Sequence, residues 1–196
     1  MSSTVRVGVI GTSSAQAYHL PSLQAHPGAA VVAICGRNRE RAQKVAERFE
    51  IPEVFTDYRA MLADAQLDAV LIASPDYLHG EMIEASIEAK LHTLTESPLS
   101  LSVDEAIRLC DAASAQPDVV RMVAYNLRWH PLHQELKRRL VDGYVGRAYH
   151  CETRLLGHYR ALDPAMGWKA DSALSWGGSV TPVRLRLTWH SGTSAG

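Results

Sequence analysis

The sequence predicts an α/β domain built on a doubly wound parallel sheet, followed by the incomplete start of an α+β second domain. Three observations predict it. Short β-branched runs alternate with segments of helical period over the first ~125 residues. The connections between them are short, as crossovers in a parallel sheet require. Beyond Asn126 the alternation stops and the chain turns to one helix, glycine-punctuated turns and amphipathic strand patterns.

Residues 5–10 read as a buried strand that delivers the chain into the tight turn Gly11-Thr12-Ser13-Ser14. A helix is expected over 15–25. Residues 30–35 repeat the strand signal, and then Ala42, Val45, Ala46 and Phe49 recur at i, i+3, i+4 and i+7 between charged residues. That spacing makes an amphipathic helix, with Asn38 as its N-cap. The unit recurs as strand 69–73 with helix 78–89, and as strand 91–95 with helix 103–113, where Ser102 and Glu105 have capping-box spacing. Residues 119–124 close the series as a fifth strand. The expected domains are therefore 1–125 and 126–196. Within the second, 131–141 is a helix with Leu132, Leu136 and Leu140 on one stripe, Gly143 and Gly146 mark a turn, and 147–156 is a strand. Val183, Leu185, Leu187 and Trp189 alternate with Arg184, Arg186, Thr188 and His190, the pattern of one amphipathic strand.

Composition excludes several classes. With 20 basic and 21 acidic side chains the net charge is −1, and 46% of residues are hydrophobic. This is neither the basic excess of a nucleic-acid binder nor the charge excess of a disordered chain. No apolar run approaches the ~20 residues that cross a bilayer, and the first residues lack a secretory pattern, so a cytoplasmic protein is expected. Cys35, Cys110 and Cys151 are widely spaced. They indicate no disulfide framework and no metal cluster, and read as small buried apolar residues.

The turn at Gly11 is the first candidate for chemistry. A dinucleotide pyrophosphate needs a tight, side-chain-poor turn with free amides at a helix start. The usual Gly-x-Gly-x-x-Gly spacing is met only by Gly11, with Ser13 and Gln16 at the other two positions. Ser13 and Ser14 can still donate to phosphate; a tight turn that binds no nucleotide is the alternative. The second strand ends in Gly36-Arg37-Asn38, where an acidic residue would hold the ribose 2′-hydroxyl of NAD. With no carboxylate there, and with Arg37 able to pair bidentately with a 2′-phosphate, NADP is preferred over NAD. A solvated arginine ahead of a helix is the other reading of Arg37.

Several segments taken together resemble a known family. Val7 to Thr12, His19-Leu20-Pro21, Arg37 to Ala42, Thr56-Asp57-Tyr58, Ala73-Ser74-Pro75 with Leu78-His79, and Glu96-Ser97-Pro98-Leu99 stand in the order and spacing of the glucose-fructose oxidoreductase, inositol dehydrogenase and MocA family. Gly143 to Gly146 and Trp168 to Asp171 extend the likeness to about Gly178. The resemblance implies a Rossmann domain followed by a domain with an open, mainly antiparallel sheet. It implies hydride transfer with NAD or NADP to or from a sugar, polyol or related carbonyl compound, and association of copies through that sheet. It also implies that Gly11, Thr12, Ser13 and Ser14 hold the pyrophosphate, Gly36, Arg37 and Asn38 the adenosine ribose, and Ser74, Pro75 and His79 the middle of the dinucleotide. Glu96 and Asn126 would lie near the nicotinamide. For His79 a surface or capping role is the plainer reading of a histidine in a first helical turn.

Two departures qualify the implied activity. The family has Glu-Lys-Pro at the end of the fourth predicted strand, where this chain has Glu96-Ser97-Pro98. A lysine of lowered pKa exchanges a hydroxyl proton near neutrality and a serine does not. Glu96 and Ser97, the latter at the lysine position, are the catalytic positions carried over; Lys169, His130, His150 and His158 are candidates to substitute. The second departure is residues 179–196, which leave the family pattern; a truncated, frame-shifted product is expected, with a genuine edge strand as the alternative. An incomplete second domain makes a homo-oligomer doubtful. Two functional readings follow: an NADP-preferring oxidoreductase, impaired by Ser97 and truncation, and a non-catalytic NAD(P)-binding regulatory or sensor protein.

Overall fold

The computed structural model describes residues 4–147, 151–154, 174 and 184–187. These fall into two units, one running to Ala124 with Leu174, the other from Tyr125 onward.

The first unit is a six-stranded parallel sheet of order β3-β2-β1-β4-β5-β6. In chain order the strands are β1 (Val5–Ile10), β2 (Ala29–Cys35), β3 (Glu53–Phe55), β4 (Ala69–Ile72), β5 (His92–Thr95) and β6 (Arg121–Val123). The order reverses between β1 and β4, both central, so their carboxyl ends open the crevice where doubly wound sheets bind ligands. The strands have few polar side chains because both faces are covered. Val9, Ile34 and Leu71 pack on one face with Leu20, Val45 and Phe49; Ile10, Val70 and Ile72 pack on the other with Met61, Met82 and Leu109. Each such aliphatic side chain removed from water contributes roughly 1.5–3 kcal/mol. In β2 the register slips against β1, leaving Val32 without a partner between Val31 and Ala33.

The connections contain a π-helical turn Ala15–His19 running into α1 (Leu20–Gln24), then α2 (Arg39–Arg48), α3 (Tyr58–Asp64), a 3-10 turn Asp76–Leu78 leading into α4 (His79–Glu88), and α5 (Val103–Ser114). Asn38 caps α2 as expected, its side chain accepting from the Arg41 amide at 2.8 Å.

Four expectations are corrected. The sheet has six strands, not five: β3 spans three residues and α3 seven, each too short to declare a period. The helix expected over 15–25 begins as a π turn. The capping box at α5 is half formed. Ser102 Oγ accepts from the Glu105 amide at 3.4 Å, but the Ser102 amide donates to Ser100 Oγ, and the Glu105 carboxylate lies against Gly80, where a Cβ would come within 2.3 Å of Oε1. Cys35 is buried but Cys110 is exposed on α5.

The second unit contains a 3-10 turn Asn126–Trp129, α6 (Pro131–Val141), β7 (Cys151–Arg154) and β8 (Arg184–Leu187). β7 and β8 pair antiparallel, Cys151 opposite Leu187 and Arg154 opposite Arg184. The remaining positions of the two strands expected over 147–156 and 183–190 lie outside the described residues, Arg147 excepted. On α6 the expected stripe is exposed, Leu132 at 72%, Leu136 at 55% and Leu140 at 40%.

Candidate functional site

The carboxyl ends of β1, β2, β4 and β5 gather most of the residues singled out above. β1 runs directly into Gly11 at φ +111°, a conformation open to glycine and costly for residues with a Cβ. The Gly11 amide donates to Cys35 O at 2.9 Å, and a Cβ here would sit 2.2 Å from Ala73 O. The turn therefore lies directly on the end of β4. Ser13 is exposed, and its Oγ accepts from Arg41 Nη2 at 2.9 Å. Ser14 Oγ makes a long contact of 3.5 Å to Ala73 O. Gln16, at the position the fingerprint gives to a small residue, folds its side chain back to donate to Thr12 O at 2.9 Å. The small buried residue at the start of this helical segment is its neighbour Ala15.

β2 is followed by Gly36, whose amide donates to Phe55 O at 3.0 Å and whose Cβ, if present, would meet Thr12 Cγ2 at 2.6 Å. The two turns touch. Arg37 is exposed, with Nη1 3.4 Å from the Tyr77 hydroxyl. At the end of β4 the Ser74 Oγ is buried without a hydrogen-bond partner, an orphaned polar atom between the Gly11 turn and Pro75. Such groups are uncommon and point to a missing partner.

His79 is fully buried at the start of α4. Its Nδ1 lies 2.6 Å from Pro98 O and its Nε2 3.0 Å from Ser74 O. Its ring thus ties the β4 turn to the β5 turn, and the residue does not lie on the surface. At the end of β5 the Glu96 amide donates to Ile72 O at 2.8 Å, and its carboxylate Oε1 lies 2.5 Å from His19 Nε2. That hydrogen bond holds the Glu96 carboxyl below the usual carboxylate range, against the opposing effect of burial. Ser97, at the lysine position, is exposed, and the Ser97–Pro98 bond is cis.

Asn126 opens the 3-10 turn of the second unit, and His130 there caps α6, its Nδ1 accepting from the Leu132 amide at 3.3 Å. Lys169, His150 and His158 lie outside the described residues. Sequence reasoning assigned no role to His19, Arg41 or Tyr77. Arg41 had a signal, since side chains in a first helical turn lean back toward the N-terminus; the His19 contact spans 77 residues and had none. Among the described residues no cluster of His, Cys, Asp or Glu could hold a metal, and no helix is long and apolar enough to cross a membrane.

A parallel sheet of this order, with a glycine turn pressed on the switch point and an orphaned serine hydroxyl beside it, defines a dinucleotide-binding Rossmann domain. The model of the oxidoreductase family with an NAD-binding Rossmann fold, GFO_IDH_MocA, matches residues 5–125, and the chain belongs to that family. It is 34% identical over 177 residues to D-xylose 1-dehydrogenase (NADP(+)) 2 of Haloferax volcanii, covering 90% of this chain and 53% of the relative. It is 33% identical over 185 residues to inositol 2-dehydrogenase 2 of Saccharopolyspora erythraea, covering 93% and 52%. Among solved structures, the 3-ketoreductase KijD10 of Actinomadura kijaniata in complex with NADP superposes with a TM-score of 0.66 at 34% identity, over 74% of this chain and 46% of that one. Apo scyllo-inositol dehydrogenase of Lactobacillus casei gives a TM-score of 0.77 at 19% identity over 87% and 50%, a likeness of fold. The chain spans about half the length of these relatives.

Proposed function

We propose that the protein binds NADP in preference to NAD at the carboxyl end of its sheet and transfers hydride to or from a sugar, polyol or related carbonyl compound. The observation that carries this is the junction of Gly11, Ala73 and Ser74, where a turn without a Cβ adjoins a buried hydroxyl lacking a partner. Gly11 to Ser14 receive the pyrophosphate and Ser74 with Pro75 the middle of the dinucleotide. Gly36 and Asn38 form the floor beneath the ribose, which carries no carboxylate to repel a 2′-phosphate. When bound, the dinucleotide supplies the hydride donor or acceptor. Glu96, ionised and fixed by His19, lies at the end of β5, where the family resemblance puts the nicotinamide. Relatives named for xylose, inositol and a dTDP-sugar support the substrate class. The site serves a cytoplasmic enzyme that takes no nucleic acid or membrane as partner.

A second reading, dinucleotide binding without turnover, is favoured by one observation. Ser97 presents a neutral hydroxyl where the resemblance places a proton-exchanging lysine. Thermal unfolding of the full chain with NADP and NAD in parallel tests the shared part, since a ligand binding only the native state at a hundred times its Kd adds roughly 2.7 kcal/mol. A larger upward shift with NADP is expected; no shift with either defeats both readings. Formation of reduced nicotinamide with xylose or inositol then separates the first reading from the second.

A further inference from the structure

The ring of His79 has a hydrogen-bond acceptor on each side. Nδ1 lies 2.6 Å from Pro98 O and Nε2 3.0 Å from Ser74 O, and the side chain is closed off from solvent. A carbonyl oxygen only accepts, and a neutral imidazole has a single N–H. In the neutral ring, therefore, one of the two oxygens faces a lone pair in a buried place, where polar groups are ordinarily satisfied. Turning the ring over sets carbon against both oxygens and satisfies neither. The doubly protonated ring alone donates to Ser74 and Pro98 together.

The neighbouring sequence leaves this task to a side chain. Each turn carries a proline, Pro75 after β4 and Pro98 after β5, and a proline has no amide N–H to offer across the gap. A buried cation is costly unless its donors are met and an opposite charge is near. Both donors are met here, and Glu96 supplies the charge. Its carboxyl is held low first by the His19 hydrogen bond and, among lesser causes, by His79 itself. The other ionisable groups brought to this end of α4 are Glu105 from α5, whose carboxylate lies against Gly80, Tyr58 from α3, Glu81 on α4 and Asp76 in the turn ahead of it.

We infer that His79 works as an imidazolium: protonated on both nitrogens it binds the β4 turn to the β5 turn, and on losing one proton it releases one of them. The inference rests on the dinucleotide reading above and names the residue that joins its two halves. In that reading Ser74 and Pro75 meet the middle of the dinucleotide and Glu96 lies at the nicotinamide end, so His79 is a positioning residue for both. The joined form holds one more proton than the parted form. Dinucleotide binding therefore takes up a proton and weakens as pH rises. The Glu96 carboxyl acts in the opposite direction, since its contribution is lost toward acid.

The experiment uses the full chain and His79→Gln, which keeps one donor and carries no charge. NMR of the 15N-histidine-labelled protein counts the ring protons. The His79 signal is assigned by its absence from the variant or, if the variant does not fold, through the wild-type backbone. Isothermal titration with NAD from pH ~6 to ~8.5, in two buffers of different protonation enthalpy, reads affinity and proton uptake. NAD is the probe because the 2′-phosphate of NADP itself titrates near pH ~6. Two ring N–H protons are expected on His79 in the NAD-bound chain at pH ~6.5, with NAD binding about tenfold weaker at the alkaline end and one proton taken up. In His79→Gln the affinity should be flat across the range. A single ring N–H in the bound chain overturns the inference, as does a flat wild-type profile or an equal decline in His79→Gln. If neither NAD nor NADP binds, the dinucleotide reading falls, and the ring spectrum of the free chain decides the clamp by itself: two N–H protons sustain it and one removes it.

Discussion

Gly11 and Glu96 show how far single residues decide this site. Gly11 combines a positive φ with an approach to Ala73 that leaves no room for a methyl group. Gly11→Ala must strain the backbone and push β1 from β4, at a cost of about 3 kcal/mol or more. Denaturant unfolding measures it, and a loss below about 1 kcal/mol would show that the turn relaxes freely. Glu96 works through charge. Its carboxyl, held by His19, titrates below its ordinary value of 4.5, so the native state binds fewer protons than the unfolded chain near that pH. The stabilisation is present above 4.5 and is lost as pH falls through the folded value. Thermal unfolding from neutrality down to about pH 3 should show a shallower acid decline in Glu96→Gln than in the wild type. Parallel curves for the two would mean the His19 contact contributes nothing to stability. The glycine was legible from strand-then-turn; the His19 partner was not, because only the crossing of distant segments brings it to Glu96.

At the scale of elements, the start of α2 unites stability with the candidate site. Asn38 accepts from the Arg41 amide, so the cap that ends the β2 turn also orients the helical turn carrying Arg41. Asn38→Ala should cost about 1 kcal/mol, whereas Asn38→Asp, which keeps the accepting oxygen, should cost little. Equal losses in the two variants, read by denaturant unfolding, would show that the cap is not the stabilising feature. Helices α2 and α5 were legible because each is ten or more residues long with a declared cap and period. The strand β3 and helix α3 were not, since three and seven residues carry too few turns of either period. The capping box at α5 shows the limit from the other direction. Its spacing was right, but Gly80 on the neighbouring helix offered Glu105 a different place to lie.

Across the whole molecule, β1 and β4 hold the centre of the sheet, with Val9, Ile34, Ile72 and Val70 almost wholly buried on its two faces. Amide hydrogen exchange should be slowest in β1 and β4 and fastest, within the sheet, in the edge strands β3 and β6. Edge strands as protected as the centre would imply a covering surface beyond the described residues. By itself the sequence determined the alternating α/β plan, the Gly11 turn, the Asn38 cap and the family, because each is a local pattern of period, cap or motif written in consecutive residues. The tertiary structure alone decided that Gly11 rests on Ala73, that His79 is buried between two turns, that His19 fixes Glu96 and that Arg41 reaches Ser13. Those contacts join residues far apart in the chain, and they follow from the order in which the strands assemble, which no local pattern encodes.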